Sequence, residues 1–154
     1  MKKALLITDI QSDFLANMDY IYPICQKYLD EKGNDYDLII LTHWKHEENE
    51  GENTLLLKHS KASVVEKRGY SAYIPEVAKL LEDNKIDTVH LGGIDSDMAV
   101  MATMYNLLDA GYNVQILEQL LASYSTRNWE STTIMRFVLG DENVLDFGRQ
   151  RTWV

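Results

Sequence analysis

The feature that most constrains this chain is a series of short, near-continuous apolar runs with helical patterns between them. The runs cover residues 4–10, 38–42, 63–66, 88–92, 114–117 and, more weakly, 143–147. A strand with one wet face alternates apolar and polar residues. Continuous runs are expected of strands covered on both faces. Between them, residues 20–32 carry apolar positions at helical spacing and end near Gly33. Pro75 opens another helix, with Val77, Leu80 and Leu81 on one side. Residues 97–110 are apolar on most sides and stop at Gly111, and residues 129–139 stop at Gly140.

Alternation of strand and helix predicts βαβ units and a mostly parallel sheet. The expected architecture is a three-layer, doubly wound α/β fold with about six strands, a Rossmann-like arrangement in one domain spanning residues 1–154. Ligands in such folds lie at the carboxyl ends of the strands, near the point where strand order reverses. The residues to examine are therefore those just after each strand. The first delivers Thr8, Asp9 and Gln11, and the second His43, Trp44 and His46. The third delivers Lys67 and Tyr70, and the fourth residues 95–99.

Composition narrows the partners. The net charge of -9 leaves nothing to release counterions from a nucleic acid or to dock on an anionic membrane. A small-molecule ligand is the expectation that remains. The one cysteine, Cys25, allows no intramolecular disulfide, so a reducing cytoplasm is expected. The apolar stretch at the start is short and meets Asp9 at once, unlike a signal peptide or a membrane span. Residues 45–54 carry Glu47, Glu48, Glu50 and Glu52, as a solvated loop or a mobile rim beside a pocket would.

Each candidate has a plain reading and a chemical one. Asp9 is a loop carboxylate or helix cap, or else a partly buried base. Lys67 is a surface lysine, or else a cation that holds Asp9 ionised. The turn Gly92-Gly93-Ile94-Asp95-Ser96-Asp97-Met98-Ala99-Val100 is a tight strand-to-helix connection, or else a set of free amides for an anion. It lacks the glycine spacing of a dinucleotide fingerprint. Phe14, Trp44 and Tyr70 are core aromatics or walls against a planar ligand. His46 is a loop histidine or a substrate contact. A phosphatase-type Asp-x-Asp is absent, because Gln11 follows Asp9-Ile10. A receiver-domain aspartate after the third strand is absent too, because Lys67 stands there.

Three segments resemble the isochorismatase-like cysteine hydrolases. Ile7-Thr8-Asp9-Ile10-Gln11-Ser12-Asp13-Phe14 is similar to the family's opening motif. Val64-Val65-Glu66-Lys67-Arg68-Gly69-Tyr70-Ser71-Ala72-Tyr73 resembles its lysine segment. Gly93-Ile94-Asp95-Ser96-Asp97-Met98-Ala99-Val100 resembles its G-[VI]-x-T-D-x-C-V motif. Thr103 and residues 111–114 match the continuation, and past Glu118 the likeness fades. The resemblance implies an amide-type (C–N) hydrolase. Asp9 would take a thiol proton, Lys67 would stabilise the pair, and the thiolate would form an acyl-enzyme. The amides of Asp95 and Ala99 would bind the oxyanion, and the Ile94-Asp95 peptide would be cis. It also implies no cofactor and a homodimer or larger assembly, to which the apolar helix after Ala99 would contribute. Substrate contacts would come from Gln11, Phe14, Trp44, His46 and Tyr70.

The departure from the pattern is Ala99, which stands where the family has its nucleophilic cysteine. A methyl group attacks nothing, so the chain as written is expected to be inactive in thiol chemistry. The open accounts are a replaced cysteine, a module that binds a ligand without turnover, and thiol-free chemistry. True isochorismatases in the family lack the cysteine and use the aspartate to protonate a vinyl ether. The nicotinamidase branch has Asp-x-His after the second strand. Here Trp44 takes the aspartate position before His46, and three zinc ligands cannot be assembled, so no metal is expected.

Overall fold

The structure is a computed structural model and describes residues 1–146. Strands β1 (Lys3–Thr8), β2 (Leu38–Trp44), β3 (Ala62–Lys67), β4 (Thr88–Gly93), β5 (Asn113–Leu121) and β6 (Val144–Leu145) form one sheet. Their order is β3-β2-β1-β4-β5-β6, and every pairing is parallel. The doubly wound α/β class expected from the sequence is what the chain adopts. Residue 147 of the weak last run, and the tail to 154, lie outside the described residues.

Side chains alternate across the sheet, so each central strand feeds two cores. Ala4 and Leu6 of β1 join Leu38 and Ile40 of β2 on one face. Leu5 and Ile7 join Ile39 and Leu41 on the other. The first face is covered by α3 (Pro75–Asp83), α4 (Met101–Asp109) and α5 (Asn128–Leu139), through Val77, Leu81, Met104, Leu107 and Met135. The second is covered by α1 (Ser12–Leu15) and α2 (Ile21–Lys32), with Leu57 from the connection after β2. Each fully buried Leu or Ile contributes about 1.5–3 kcal/mol of transfer free energy. This explains the continuous apolar runs: neither face of β1 or β2 meets water.

Two elements differ from the sequence expectation. The helix expected over residues 97–110 opens instead as a wide π-type turn, Ser96–Val100, before α4 begins at Met101. Strand β5 runs to Leu121 rather than stopping at residue 117. A register shift between Leu91 and Gly93 lets Gly93 pair with Leu121, so the polar Glu118 and Gln119 stay in strand. The loop expected over residues 45–54 is present: residues 45–61 span β2 to β3 with a short turn at Glu47–Asn49. The glutamates of this connection are exposed, yet Lys45 and Asn49 are buried and pin it down.

Strand order reverses between β1 and β4. The chain leaves β1 toward α2 on one face and β4 toward α4 on the other. A crevice at their carboxyl ends follows from that divergence.

Candidate active site

Asp9 follows the last residue of β1 and takes a left-handed backbone conformation, with φ of 59°. Aspartate tolerates that region better than most residues. Its amide donates to the Thr42 carbonyl and hydroxyl, both at 3.2 Å, which ties the end of β1 to β2. The Thr42 hydroxyl in turn donates to Asp9 Oδ1 at 2.8 Å. Lys67 Nζ, at the end of β3, lies 2.7 Å from Asp9 Oδ2. Among the described residues Oδ2 has no hydrogen-bonding partner besides that ion pair.

Both charges are sealed from water, each residue being 1 % exposed. Burial pushes the Asp9 carboxyl up to about 6, against the pull of Lys67 and the Thr42 hydroxyl. The negative charge of Asp95 pushes the same way. Burial lowers the Lys67 ammonium, and Asp9 offsets this in part. Lys67 also donates to the carbonyls of Gly69 and Tyr70, both at 2.8 Å. Its Nζ sits 4.0 Å from the centre of the Trp44 ring, a cation–π contact.

The β4 end is shaped by Gly93, whose φ is +116°. A Cβ there would lie 2.3 Å from the Thr8 carbonyl oxygen, so β1 and β4 approach closely only because the residue is glycine. The Ile94-Asp95 peptide that follows is cis. The Asp95 carbonyl accepts from the amides of Met98 and Val100, each at 3.1 Å, and skips that of Ala99 between them. The Ala99 carbonyl accepts from Thr103 Oγ1 at 2.7 Å, and Thr103 Oγ1 accepts from the Ala72 amide at 2.8 Å. One hydroxyl thus joins the Ala99 turn to the segment after β3.

These ends meet around one small cleft. Asp9, Ile94, Asp95 and Ala99 form its floor and side, and Phe14, Trp44, Tyr70 and Met98 complete the lining. Trp44 meets Phe14 edge-to-face at 5.8 Å and Tyr70 at 5.1 Å. The free space is about 30 Å³, roughly the volume of one water molecule. A larger ligand must enter past Tyr70 and Met98, which are 57 % and 45 % exposed. Lys67 lies behind the lining, against Asp9 and Trp44.

A family model described as the isochorismatase domain matches residues 3–145. The chain belongs to the isochorismatase family. It is 29 % identical over 143 residues to isochorismatase family protein 2A of Dictyostelium discoideum, covering 84 % of this chain and 70 % of that one. Its fold matches a pyrazinamidase of Pyrococcus horikoshii in complex with zinc, with a TM-score of 0.77 and 21 % identity. That match covers 91 % of this chain and 97 % of the pyrazinamidase. A nicotinamidase from Bacillus subtilis matches with a TM-score of 0.73 and 19 % identity, over 91 % and 97 % of the two chains. The fold is therefore that of the isochorismatase-family hydrolases.

Two residues expected at the ligand are not in the lining. Gln11 is fully buried, and its amide clamps the backbone of Trp44 in both directions, accepting at 2.8 Å and donating at 3.0 Å. It joins β1 to β2 instead of facing the cleft. His46 Nδ1 accepts the Glu48 amide at 3.2 Å, and its Nε2 donates to Asp13 Oδ2 at 2.6 Å. It caps the turn after β2 and stacks on Phe14 at 5.5 Å. Zinc does not fit this arrangement. Among the described residues no three His, Cys, Asp or Glu side chains gather as a metal set, and the Trp44 indole supplies no ligand. Cys25 cannot stand in for the missing thiol, since it is buried in α2 and its thiol is pushed up to about 12.

Sequence reasoning missed the brace beneath the turn. Ser123 and Ser125 donate to the two carboxylate oxygens of Asp97 at 2.8 Å each, and the Tyr124 amide donates to Asp95 Oδ1 at 2.8 Å. The Ser96 amide donates to the Ala122 carbonyl at 3.0 Å. The signal was a Ser-x-Ser just after a strand, which reads as an ordinary loop. Thr42 was missed because a threonine inside an apolar run reads as a β-former.

Proposed function

We propose that this chain carries an amide-hydrolase site of the isochorismatase type in which the nucleophile is absent, so that it binds a small amide-type compound without turning it over. The observation that carries the reading is the sealed Asp9–Lys67 pair, 2.7 Å apart, facing a cleft that Ala99 also lines. Burying an ion pair costs more than packing apolar residues of the same size. A chain with no use for a proton acceptor beside residue 99 gains nothing from holding that pair.

With a thiol at position 99 these residues fit the steps that the family resemblance implies. Asp9 Oδ2, unpartnered except by Lys67, takes the thiol proton. The thiolate adds to the amide carbon, and the oxyanion rests on the amides of Asp95 and Ala99. Asp9 returns the proton to the departing amine, and water then cleaves the thioester. With alanine there is no first step, and the cleft only binds.

The test compares the chain with its Ala99→Cys variant on nicotinamide, ureido acids and carbamoyl compounds. Hydrolysis is expected with cysteine and absent with alanine, and Asp9→Asn in the cysteine background should remove it. No hydrolysis of any amide by the cysteine form sinks the reading. A second reading has one observation in its favour. An Asp9 carboxyl near 6 is partly protonated around neutral pH and could protonate a vinyl ether without a thiol. Cleavage of isochorismate by the alanine form, lost in Asp9→Asn, would establish that reading instead.

A further inference from the structure

The cleft has an electrical character as well as a shape. Its lining includes the acidic residues Asp9 and Asp95 and, among the described residues, no basic one. The nearby ammonium of Lys67 is withdrawn behind Asp9, is 1 % exposed, and is occupied by Asp9, two carbonyls and the Trp44 ring. It neutralises Asp9 and presents nothing to a ligand. Among the described residues Asp95 has no such counter-ion. Its Oδ1 takes the neutral Tyr124 amide, and Asp97 adds a further negative charge close by. The remaining walls are Phe14, Trp44 and Tyr70, set edge-to-face. Aromatic faces attract cations and offer nothing to anions. Asp9 belongs to the same lining, with its Oδ2 held 2.7 Å from Lys67 Nζ.

We propose that the cleft selects small planar ligands bearing a positive charge over isosteric neutral ones, and excludes carboxylates. This rests on the cleft being the ligand site, as the proposed function also requires, but needs no turnover. Asp95 provides the charge partner and the aromatic walls the remaining contacts. An anion entering here meets Asp95 and, among the described residues, no basic side chain in the lining. A dianion such as isochorismate fares worst, so the amide and vinyl-ether readings above are also separated by ligand charge.

The experiment uses the unaltered chain at pH 8 and three probes of one shape: benzamidinium, benzamide and benzoate. Binding is measured by NMR titration, with the Trp44 indole N–H and Ala99 methyl signals reporting the site. Benzamidinium is expected to bind at least about tenfold more tightly than benzoate, with benzamide between them; a tenfold ratio is about 1.4 kcal/mol. Asp95→Asn is expected to narrow the amidinium-to-amide ratio severalfold while leaving benzamide binding in place. Trp44→Leu is a second variant, expected to weaken amidinium binding more than benzamide binding. Equal or tighter binding of benzoate overturns the proposal. So does a failure of all three probes to bind, or binding that leaves the Trp44 and Ala99 signals unmoved. Amide hydrolysis by Ala99→Cys without the charge order would retain the proposed function and reject this inference. The charge order without hydrolysis would do the reverse.

Discussion

At the scale of single residues, the chemistry turns on which protonation state of Asp9 is used. Burial holds its carboxyl at about 6. A base must be ionised, so in Ala99→Cys the kcat/KM for an amide is expected to rise as pH increases through about 6 and then level. A profile from pH 5 to 8 checks this. A fall through the same range would mean that Asp9 works as an acid. Asp9 and Lys67 were legible in the sequence because each stands at the end of an apolar run, and the parallel fold brings those run ends together. Gln11 and His46 follow runs too, yet the structure turns them to local tasks. Gln11 satisfies the Trp44 backbone, and His46 caps a turn. Position after a strand tells where a residue is, while its rotamer and hydrogen-bond partners decide what it faces.

At the scale of elements, the contact of β1 with β4 and the connection after β2 each have a weak point that can be tested. Gly93→Ala would force a Cβ to within 2.3 Å of the Thr8 carbonyl oxygen and 2.5 Å of its nitrogen, at a φ of +116°. Backbone on both sides leaves nothing flexible to move, so a loss of more than about 3 kcal/mol is expected by urea denaturation. The connection is pinned by Asp13, which accepts from Gln11, His46 and Asn49. Partial burial would raise the Asp13 carboxyl, but hydrogen bonds from Thr54, His46 and Gln11 outweigh it and hold it at about 2. A depressed carboxyl contributes stability that is complete above 3.8 and lost as pH falls to about 2. Asp13→Asn should therefore cost about 1 kcal/mol at pH 7, given its exposure. The difference in Tm from the unaltered chain should vanish between pH 4 and pH 2. A difference that persists at pH 2 would mean that shape, not charge, holds the connection. The parallel, doubly wound class of the sheet was legible from the alternation of runs and helices. The length of β5 was not, because Glu118 and Gln119 interrupt its apolar pattern and only the register shift at β4 keeps them in strand.

At the scale of the whole molecule, the question is whether the Asp9–Lys67 pair holds the fold together or is carried by it. The two cores enclose every central strand, so stability has ample apolar sources without a buried ion pair. The carboxyl of Asp9 is raised from 3.8 to about 6. By linkage, its favourable contribution to stability is complete below 3.8 and is lost as pH rises through about 6. At pH 8 the fold thus holds an ionised Asp9 against its own burial, with Lys67 as partial compensation. Replacing both at once, Asp9→Asn with Lys67→Met, removes both charges and keeps similar volumes. Lys67 also serves the Gly69 and Tyr70 carbonyls, but both residues are exposed, so water can replace the ammonium there. The double variant is expected to match the unaltered chain within about 1 kcal/mol at pH 8, or to exceed it. Its relative standing should fall between pH 6 and pH 4, where protonation relieves Asp9 in the unaltered chain. Lys67→Met alone should be clearly worse, by about 3 kcal/mol, because it leaves a buried carboxylate without a partner. Urea titrations of the three chains at pH 4 and pH 8 decide the matter. A double variant several kcal/mol less stable at pH 8 would make the pair structural, and its retention beside Ala99 would then say nothing about binding.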